Sequence, residues 1–318
     1  MDIEIVTTPN DALKETGFGP LHACDGVMQS LLDSHHNAIV TVCVNAADLA
    51  AVVARKPDLI MAVVKYILLE NGQQLWLSEF FEGQNVNFTG SLRNVLSYDS
   101  NKVSAKELVS SKGIDTADFF LTIPDEYKSE KELPLPFPLF IKPADAANGN
   151  GVDTESLVYD FEHFQAKVQK LYNEYAEAVL VEEYLEGKEF TVAIMEDHEN
   201  LIISAIEIIP PEEGGLRILG AKVKTGNTEV LQIISDPLTL TKVIDIAEKS
   251  FRALGVRDFG RIDIKMDTRG DCHFIEANLV PGMKKGSSYF PQAYAMNSRL
   301  NYDEVVRHMI QGATERIH

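Results

Sequence analysis

The chain has 318 residues, 45% hydrophobic and 24% charged, which describes an ordinary water-soluble globular protein large enough for two or three packed modules. A net charge of −19 works against binding to nucleic acid or to an anionic membrane surface, so any anionic ligand must be held by a local cluster of Lys, Arg and metal. Three scattered cysteines (Cys24, Cys43, Cys272) with no CxxC pair argue against a disulfide framework or zinc site, and point to a reducing compartment.

The amino terminus, MDIEIVTTPN, lacks a basic region followed by an apolar run, and no apolar stretch approaches the ~18 residues that span a bilayer. The expected location is cytoplasmic. Asp2–Thr8 reads as a strand, and His22–Ser34 as an amphipathic helix with Val27, Met28, Leu31 and Leu32 on one side. Ala38–Val44 reads as a buried strand, Ala47–Lys56 as a short helix, and Asp58–Val64 and Asn85–Gly90 as strands. Strands alternating with helices mean a parallel sheet covered on both faces. Tyr98–Gly113 reads as one helix, and Pro134, Pro136 and Pro138 introduce FPLFIKPAD as an edge or entry strand.

Beyond residue 137 strands dominate: Leu139–Lys142, Ala178–Tyr184, Glu189–Glu196, Leu201–Ile209, Leu216–Lys224 and a hairpin over 261–278. Helices are expected over roughly 160–175, 236–254 and 301–316. The whole is α/β followed by α+β, with no internal repeat. Boundaries fall near residues 97 and 186, giving segments 1–97, 98–186 and 187–318.

The hairpin carries the strongest chemistry. In RIDIKMDTRGDCHFIEANLVPGM (261–283), the tetrapeptide Thr268-Arg269-Gly270-Asp271 has turn chemistry, so Asp267 pairs with Cys272. Asp263 then faces Glu276 and Arg261 faces Asn278, all projecting to one side. Two facing carboxylates repel each other, and a hard cation that takes carboxylate and amide oxygens, Mg²⁺, relieves that repulsion. A solvated face would explain Arg261 and Asp263 alone; it leaves Glu276-Ala277-Asn278 running into the sharp reversal Pro281-Gly282-Met283 unexplained.

Two further stretches are weaker. In IKPADAANGNGV (141–152), Lys142 ends a strand before a Gly loop whose N–H groups can approach phosphate, although Asn-Gly also marks a plain hairpin turn. In VEEYLEGKEFTVAI (181–194), the run Glu182, Glu183, Glu186, Glu189 reads by itself as a solvated loop; a free strand edge with a carboxylate would also suit an adenine amino group and a ribose diol.

Their order resolves the ambiguity. FTGS (88–91), Lys102 before a helix, the KP plus Gly loop, VEEYLEGKEFTV and then RID…EAN…PGM together resemble the ATP-grasp superfamily, and within it the D-alanine–D-alanine ligases and related carboxylate–amine ligases. The resemblance implies an ATP-grasp fold: an N-terminal Rossmann-like domain, a small central α+β domain and a C-terminal α+β domain. It implies ATP and two Mg²⁺ as cofactors, with Mn²⁺ able to substitute. It also implies small amino-acid or carboxylate substrates and a homodimer through the N-terminal domain. Lys102 and Lys142 match lysines on nucleotide phosphates, with the loop at Asn148-Gly149. Glu182 matches the adenine-contacting position of a hinge that continues through Glu183 and Tyr184, and Glu189 matches the ribose carboxylate. Lys222 matches the γ-phosphate lysine, with Lys224 a near competitor. Asp263, Glu276 and Asn278 match the magnesium ligands, Arg261 and the backbone at Gly282 the groups that stabilise a tetrahedral intermediate, and Ser287 the carboxylate site of the second amino acid.

The departures concern substrate. The family's Gly-Ser-Ser loop is here Ala147-Asn148-Gly149, and PGM is followed by Lys284-Lys285-Gly286-Ser287-Ser288. GFGPLHACDGVMQ lacks the glutamate that receives the first substrate's ammonium, and Val63-Val64-Lys65-Tyr66 replaces a His-Gly loop. Lys284 and Lys285 read equally as a solvated pair. The expectation is an ATP-dependent ligase with a more acidic or differently shaped substrate pair than D-alanine. A nucleotide-binding module without turnover, and an enzyme with another acceptor, are the alternatives.

Overall fold

The computed structural model describes residues 1–9, 17–145, 149–198 and 200–316. The chain opens with β1 (Asp2–Thr7), α1 (Leu21–Asp33), β2 (Asn37–Val42), α2 (Ala46–Ala54) and β3 (Leu59–Ala62). The three strands form a parallel sheet in the order β2-β1-β3. Alternation buries Ile3, Ile5, Leu59 and Met61 on one face, and Val6, Ile60 and Ala62 on the other, so both faces are covered as expected. Residues 85–90 are not a strand. They run beside β3 through one bridge, Ile60 to Phe88, with Asn85 at φ +52° bending the chain.

A small hairpin, β4 (Tyr66–Leu68) and β5 (Gln74–Trp76), leads to α3 (Leu77–Gly83). The single helix expected over 98–113 is two, α4 (Arg93–Ser100) and α5 (Lys102–Ser111). The break falls at Asn101, whose side chain accepts the Ser104 N–H at 2.9 Å and starts α5 afresh.

The second sheet contains β6 (Phe119–Thr122), β7 (Leu139–Pro143), β8 (Leu157–Val158) and, after α6 (Phe161–Tyr175), β9 (Val179–Glu183), ordered β6-β9-β7-β8. The proline-led strand is therefore flanked on both sides at Leu139 and Phe140, and by β9 alone beyond them.

The third sheet contains β10 (Glu189–Asp197) and β11 (Asn200–Ile209). Between β11 and the next long strand lie a two-residue hairpin, β12 (Glu212–Glu213) and β13 (Leu216–Arg217), and α7 (Ala221–Gly226). Then come β14 (Val230–Ile233), α8 (Pro237–Leu254), β15 (Phe259–Met266), β16 (Cys272–Asn278), α9 (Tyr289–Asn297) and α10 (Tyr302–Glu315). The order is β14-β11-β10-β15-β16 and every pairing is antiparallel. The strand expected over 216–224 is formed only at Leu216–Arg217, which pair with β12. Its polar AKVKTG has no core to pack against, and α7 buries none of its residues.

On one face of the third sheet Val192, Ile194, Ile262 and Ile264 meet α8 and the α5 residues Ala105 and Val109. The other face is divided. Ala193, Met195 and Phe259 lie under α9, α10 and the first sheet, whereas Thr191, Arg261 and Asp263 continue the same face as a buried polar group, with Arg261 against the start of α9. The three cysteines are buried and free. Among the described residues no helix is long and apolar enough to cross a membrane.

Candidate active site

Next to the buried group of Thr191, Arg261 and Asp263, the third sheet's Glu189, Lys265 and Glu276 line a cleft, and the second sheet supplies the opposite wall. In β7 and β9 the residues Leu139, Ile141, Val179 and Val181 pack with α6, so alternation sends Phe140, Lys142 and Glu182 to the cleft side. About 840 Å³ of space lies within the cleft, part of it open solvent.

The hairpin register is as expected where it matters, but by a different route. Asp263 pairs with Glu276 and Arg261 with Asn278. At the turn, however, Met266 pairs with Cys272, and the Asp267 N–H donates to the Asp271 carbonyl at 2.9 Å. The loop is three residues, Thr268-Arg269-Gly270, with Gly270 at φ +81° in the left-handed region. The Asp267 carboxylate accepts the N–H groups of Arg269 (2.8 Å) and Asp271 (2.9 Å). A β-bulge at Ile275 then restores the one-residue offset, and it leaves Ile275 and Glu276 both lining the cleft.

Asp263 is the most heavily bonded side chain of the group. Arg261 donates to it twice, Nε to Oδ1 and a terminal nitrogen to Oδ2, both at 3.0 Å. Thr191 Oγ1 donates at 2.7 Å and Asn278 Nδ2 at 3.1 Å. The Arg261 guanidinium lies 5.3 Å from the Tyr289 ring centre. Burial pushes the Glu276 carboxyl up, but the cations around it, Lys102 first and then Lys224, Lys142 and Arg261, outweigh burial and bring its pKa down to about 2. Glu276 is therefore an anion at any working pH.

Lys102 opens α5 with its Nζ 3.6 Å from Glu276, because the new helix begins there. Burial lowers its pKa against the pull of Glu276. Lys142 reaches Glu182 at 2.7 Å, and the fully buried Lys106 reaches the same carboxylate at 2.8 Å. Burial opposes charge on Lys142 and on Glu182 alike. The ion pairs prevail at both, raising the lysine and lowering the carboxyl, whereas at Lys106 burial prevails.

The expected site residues do not all fall in one place. Lys102, Lys142, Gly149, Glu182, Glu183, Tyr184, Glu189 and Glu276 line the cleft, and Arg261, Asp263 and Asn278 adjoin it through the hairpin. Glu182 holds two lysines, Glu183 accepts the Asp118 N–H at 3.0 Å, Tyr184 lies against Phe140, and Glu189 pairs with Lys265 at 3.4 Å. Gly282 and Ser287 lie on the turn after β16. The Ser287 N–H donates to the Lys284 carbonyl, and a Cβ at Gly282 would come within 2.9 Å of Ser288 Oγ. Lys222 is not brought in: its side chain is 88% exposed and reaches Glu213 at 3.7 Å, while Lys224, two residues on, lines the cleft. A strand would have sent both lysines to one side; the helical turn separates them. Asn148 lies outside the described residues.

The glycine loop and the lysine segment meet. The Ala221 N–H donates to the Gly149 carbonyl at 3.1 Å, and a Cβ on Gly220 would fall 2.3 Å from the Val152 carbonyl oxygen. The two segments approach too closely there for any side chain. Lys106, Thr191 and Tyr289 were missed by sequence reasoning. Thr191 was readable from the register of KEFTV against RID; Lys106 and Tyr289 carry no local signal. Lys65, expected at a substrate loop, is buried, with its Nζ donating to Asp99 (3.2 Å) and Ser100 (2.8 Å).

The donor set fits magnesium. Two carboxylates and an amide are hard oxygen ligands; each oxygen of Asp263 already accepts two hydrogen bonds, from Thr191 and Arg261 at Oδ1 and from Arg261 and Asn278 at Oδ2, so a bound ion would take the place of one of them. Among the described residues no three His, Cys, Asp or Glu side chains gather as a metal-binding group, here or elsewhere, so the third protein ligand at this site would be the Asn278 amide.

Comparison with known proteins agrees with this geometry. Residues 108–311 match the family model described as D-ala D-ala ligase C-terminus. The chain is 27% identical over 294 residues to the D-alanine–D-alanine ligase of Geotalea uraniireducens, covering 92% of this chain and 89% of that one. It is 28% identical over 270 residues to the D-alanine–D-alanine ligase of Sinorhizobium fredii, with 84% of each chain covered. In three dimensions it is similar to the D-alanine–D-alanine ligase of Bacillus anthracis crystallised with ATP, at a TM-score of 0.78 and 19% identity, over 100% of this chain and 98% of that one. The fold is that of the ATP-grasp proteins.

Proposed function

This chain belongs to the D-ala D-ala ligase family, and we propose that it works as an ATP-dependent carboxylate–amine ligase that forms an amide through an acyl phosphate. The observation that carries the reading is the facing set Arg261, Asp263, Glu276 and Asn278 beside a cleft that Lys102 and Lys142 line. A carboxylate oxygen of the first substrate attacks the γ-phosphorus of ATP, and the bond to the ADP oxygen breaks. The amine of the second substrate then attacks the acyl carbon, the C–N bond forms, and phosphate leaves while the amine sheds its proton.

Lys102, Lys142 and Lys224 hold the triphosphate by charge, which is most of what phosphoryl transfer asks of a protein. Glu182 orients Lys142, and the backbone from Glu183 to Leu185 with Glu189 takes the nucleoside. Asp263, Glu276 and Asn278 would hold magnesium, which supplies charge neutralisation at the phosphoryl oxygens. Arg261, kept in plane by its two bonds to Asp263, faces the developing oxyanion together with the backbone at Gly282. The contact between Gly149 and Ala221 closes the cleft over the phosphates and excludes water. Ser287 takes the second substrate's carboxylate. Working units of 1–97, 98–186 and 187–318, a homodimer through the first of them and a cytoplasmic location complete the reading.

Substrate choice departs from D-alanine. An ammonium in a closed site requires an anion, and GFGPLHACDGVMQ offers no glutamate. Lys65, held by Asp99, drops out as a direct anion receptor, which leaves Lys284 and Lys285 as the added cations on the second-substrate side. The test is phosphate release with Mg·ATP and D-alanine alone, compared with a panel of amino-acid and carboxylate–amine pairs. Release with some pair and little with D-alanine is expected. D-alanyl-D-alanine synthesis faster than every other pair would overturn the substrate reading, and no release with any pair would overturn the ligase itself.

A further inference from the structure

Four consecutive residues at the α4–α5 junction all make side-chain contacts. Lys102 faces Glu276, Asn101 caps α5, and Ser100 accepts from Lys65. Asp99 does something else. Its Oδ1 accepts from Lys65 Nζ at 3.2 Å, while its Oδ2 accepts two successive backbone N–H groups, Leu279 at 2.5 Å and Val280 at 3.3 Å. Those two residues are the whole connection between Asn278, at the end of β16, and the Pro281-Gly282 turn.

We propose that Asp99 is a positioning residue: its carboxylate, held in place by Lys65, fixes the exit of β16 and so sets where the turn at Gly282 presents its N–H to the reacting carbonyl. The inference rests on the ligase reading for its consequence, but on geometry alone for the contact.

The physical case has three parts. The chain leaving β16 has no strand beyond it to pair with, so the N–H groups of Leu279 and Val280 need an acceptor from elsewhere. A carboxylate accepts from both at once, and such charge-assisted bonds are roughly twice as strong as neutral ones. A carboxylate this deeply placed needs a cation, and Lys65, buried on the first-domain side, provides it. The charged pair thus ties the loop before β4 to the chain on which Asn278 and Gly282 lie. That role also gives the Lys65 departure a purpose other than receiving substrate.

Asp99→Ala, Asp99→Asn and Lys65→Met should be compared with the wild type by steady-state kinetics, ATP titration and amide hydrogen exchange. For Asp99→Ala, kcat is expected to fall about 10²-fold, the scale of a 1 Å misplacement at a reacting centre, with ATP affinity within about twofold because Lys102, Lys142 and the Asn101 cap are untouched. Asp99→Asn keeps one acceptor oxygen and should recover about tenfold of that loss, which also covers the case in which the alanine variant does not fold. The amides of Leu279 and Val280 should exchange faster in Asp99→Ala and Lys65→Met, with 102–111 unchanged. Unchanged kcat despite lost protection at those amides would overturn the proposal, as would a loss of ATP affinity equal to the loss of rate. If the wild type forms no ADP with any substrate pair, the ligase reading fails separately. Unaltered exchange at Leu279 and Val280 would then overturn the contact itself.

Discussion

The β15–β16 hairpin and the segment from Leu216 to Gly226 both bring charge to one cleft, and they do so in opposite ways. In the hairpin each charged side chain alternates with one in the apolar core, so Ile262 and Ile264 anchor the strand that carries Arg261 and Asp263. Bonds from Thr191 and Asn278 then fix the carboxylate from neighbouring strands. The α7 segment has no buried residue and holds its place through loop contacts such as Ala221 with Gly149. A rigid frame suits metal ligands and oxyanion donors, whose geometry must be preset; a segment with little buried surface suits a cation that must arrive and leave with substrate.

Substitutions in the two regions should differ in size, and the largest effect belongs to the hairpin. Asp263→Asn and Glu276→Gln should each reduce turnover by about 10³-fold or more, since each removes a charged ligand and leaves neighbouring cations uncompensated. Wild-type-like ADP release by Glu276→Gln, with magnesium dependence unchanged, would refute the assignment. Next in size, Arg261→Lys should lower the ligation rate by about 10²-fold while ATP binding is retained, because an ammonium cannot present two parallel donors to Asp263 and a planar face to the oxyanion. Weakened ATP binding with normal turnover at saturation would move Arg261 to the nucleotide.

The lysine pair sharpens the contrast within the exposed segment. Lys224→Met should raise the KM for ATP or lower kcat by about tenfold, and Lys222→Met should stay within about twofold, since Lys222 points to solvent and Glu213. Equal losses would mean that α7 rearranges on binding. The smallest effect is at the far end of the hairpin. Backbone N–H bonds from Asp271 and Arg269, with the Arg269 guanidinium, hold the Asp267 carboxyl at about 2, below its unfolded value near 3.9. A depressed carboxyl stabilises fully above its unfolded pKa and loses that contribution as pH falls through the folded one. Asp267→Asn should therefore be less stable than wild type at pH 6, with the gap closing between about pH 4 and pH 2 in denaturant titrations. A gap independent of pH would assign the effect to the turn's shape.

Much of the site was legible because it is local. The facing pairs of the hairpin follow from period-two alternation and a short loop. The offset introduced by a tighter turn was cancelled by the bulge at Ile275, which no local pattern announces. The same reasoning failed over 218–224, where LRILGAKVK looked like one strand but only Leu216–Arg217 form one. A strand needs a partner with free backbone groups and a face to bury, and β14 had already taken the sheet edge beside β11.

The sequence by itself determined which chemical groups the protein owns and which of them neighbour one another within a strand or hairpin: Arg261 with Asp263, Glu276 with Asn278, Lys142 at a strand end before a glycine loop. Side-chain direction there is fixed by backbone geometry over a few residues. Tertiary structure alone decided the rest. It set Lys106 and Lys142 on one carboxylate, sent Lys224 rather than Lys222 into the cleft, and joined Asp99, with Lys65 on its other oxygen, to Leu279 across 180 residues of chain. Those contacts arise because buried charges and N–H groups must find partners wherever packing has placed them, and packing is a property of the whole chain.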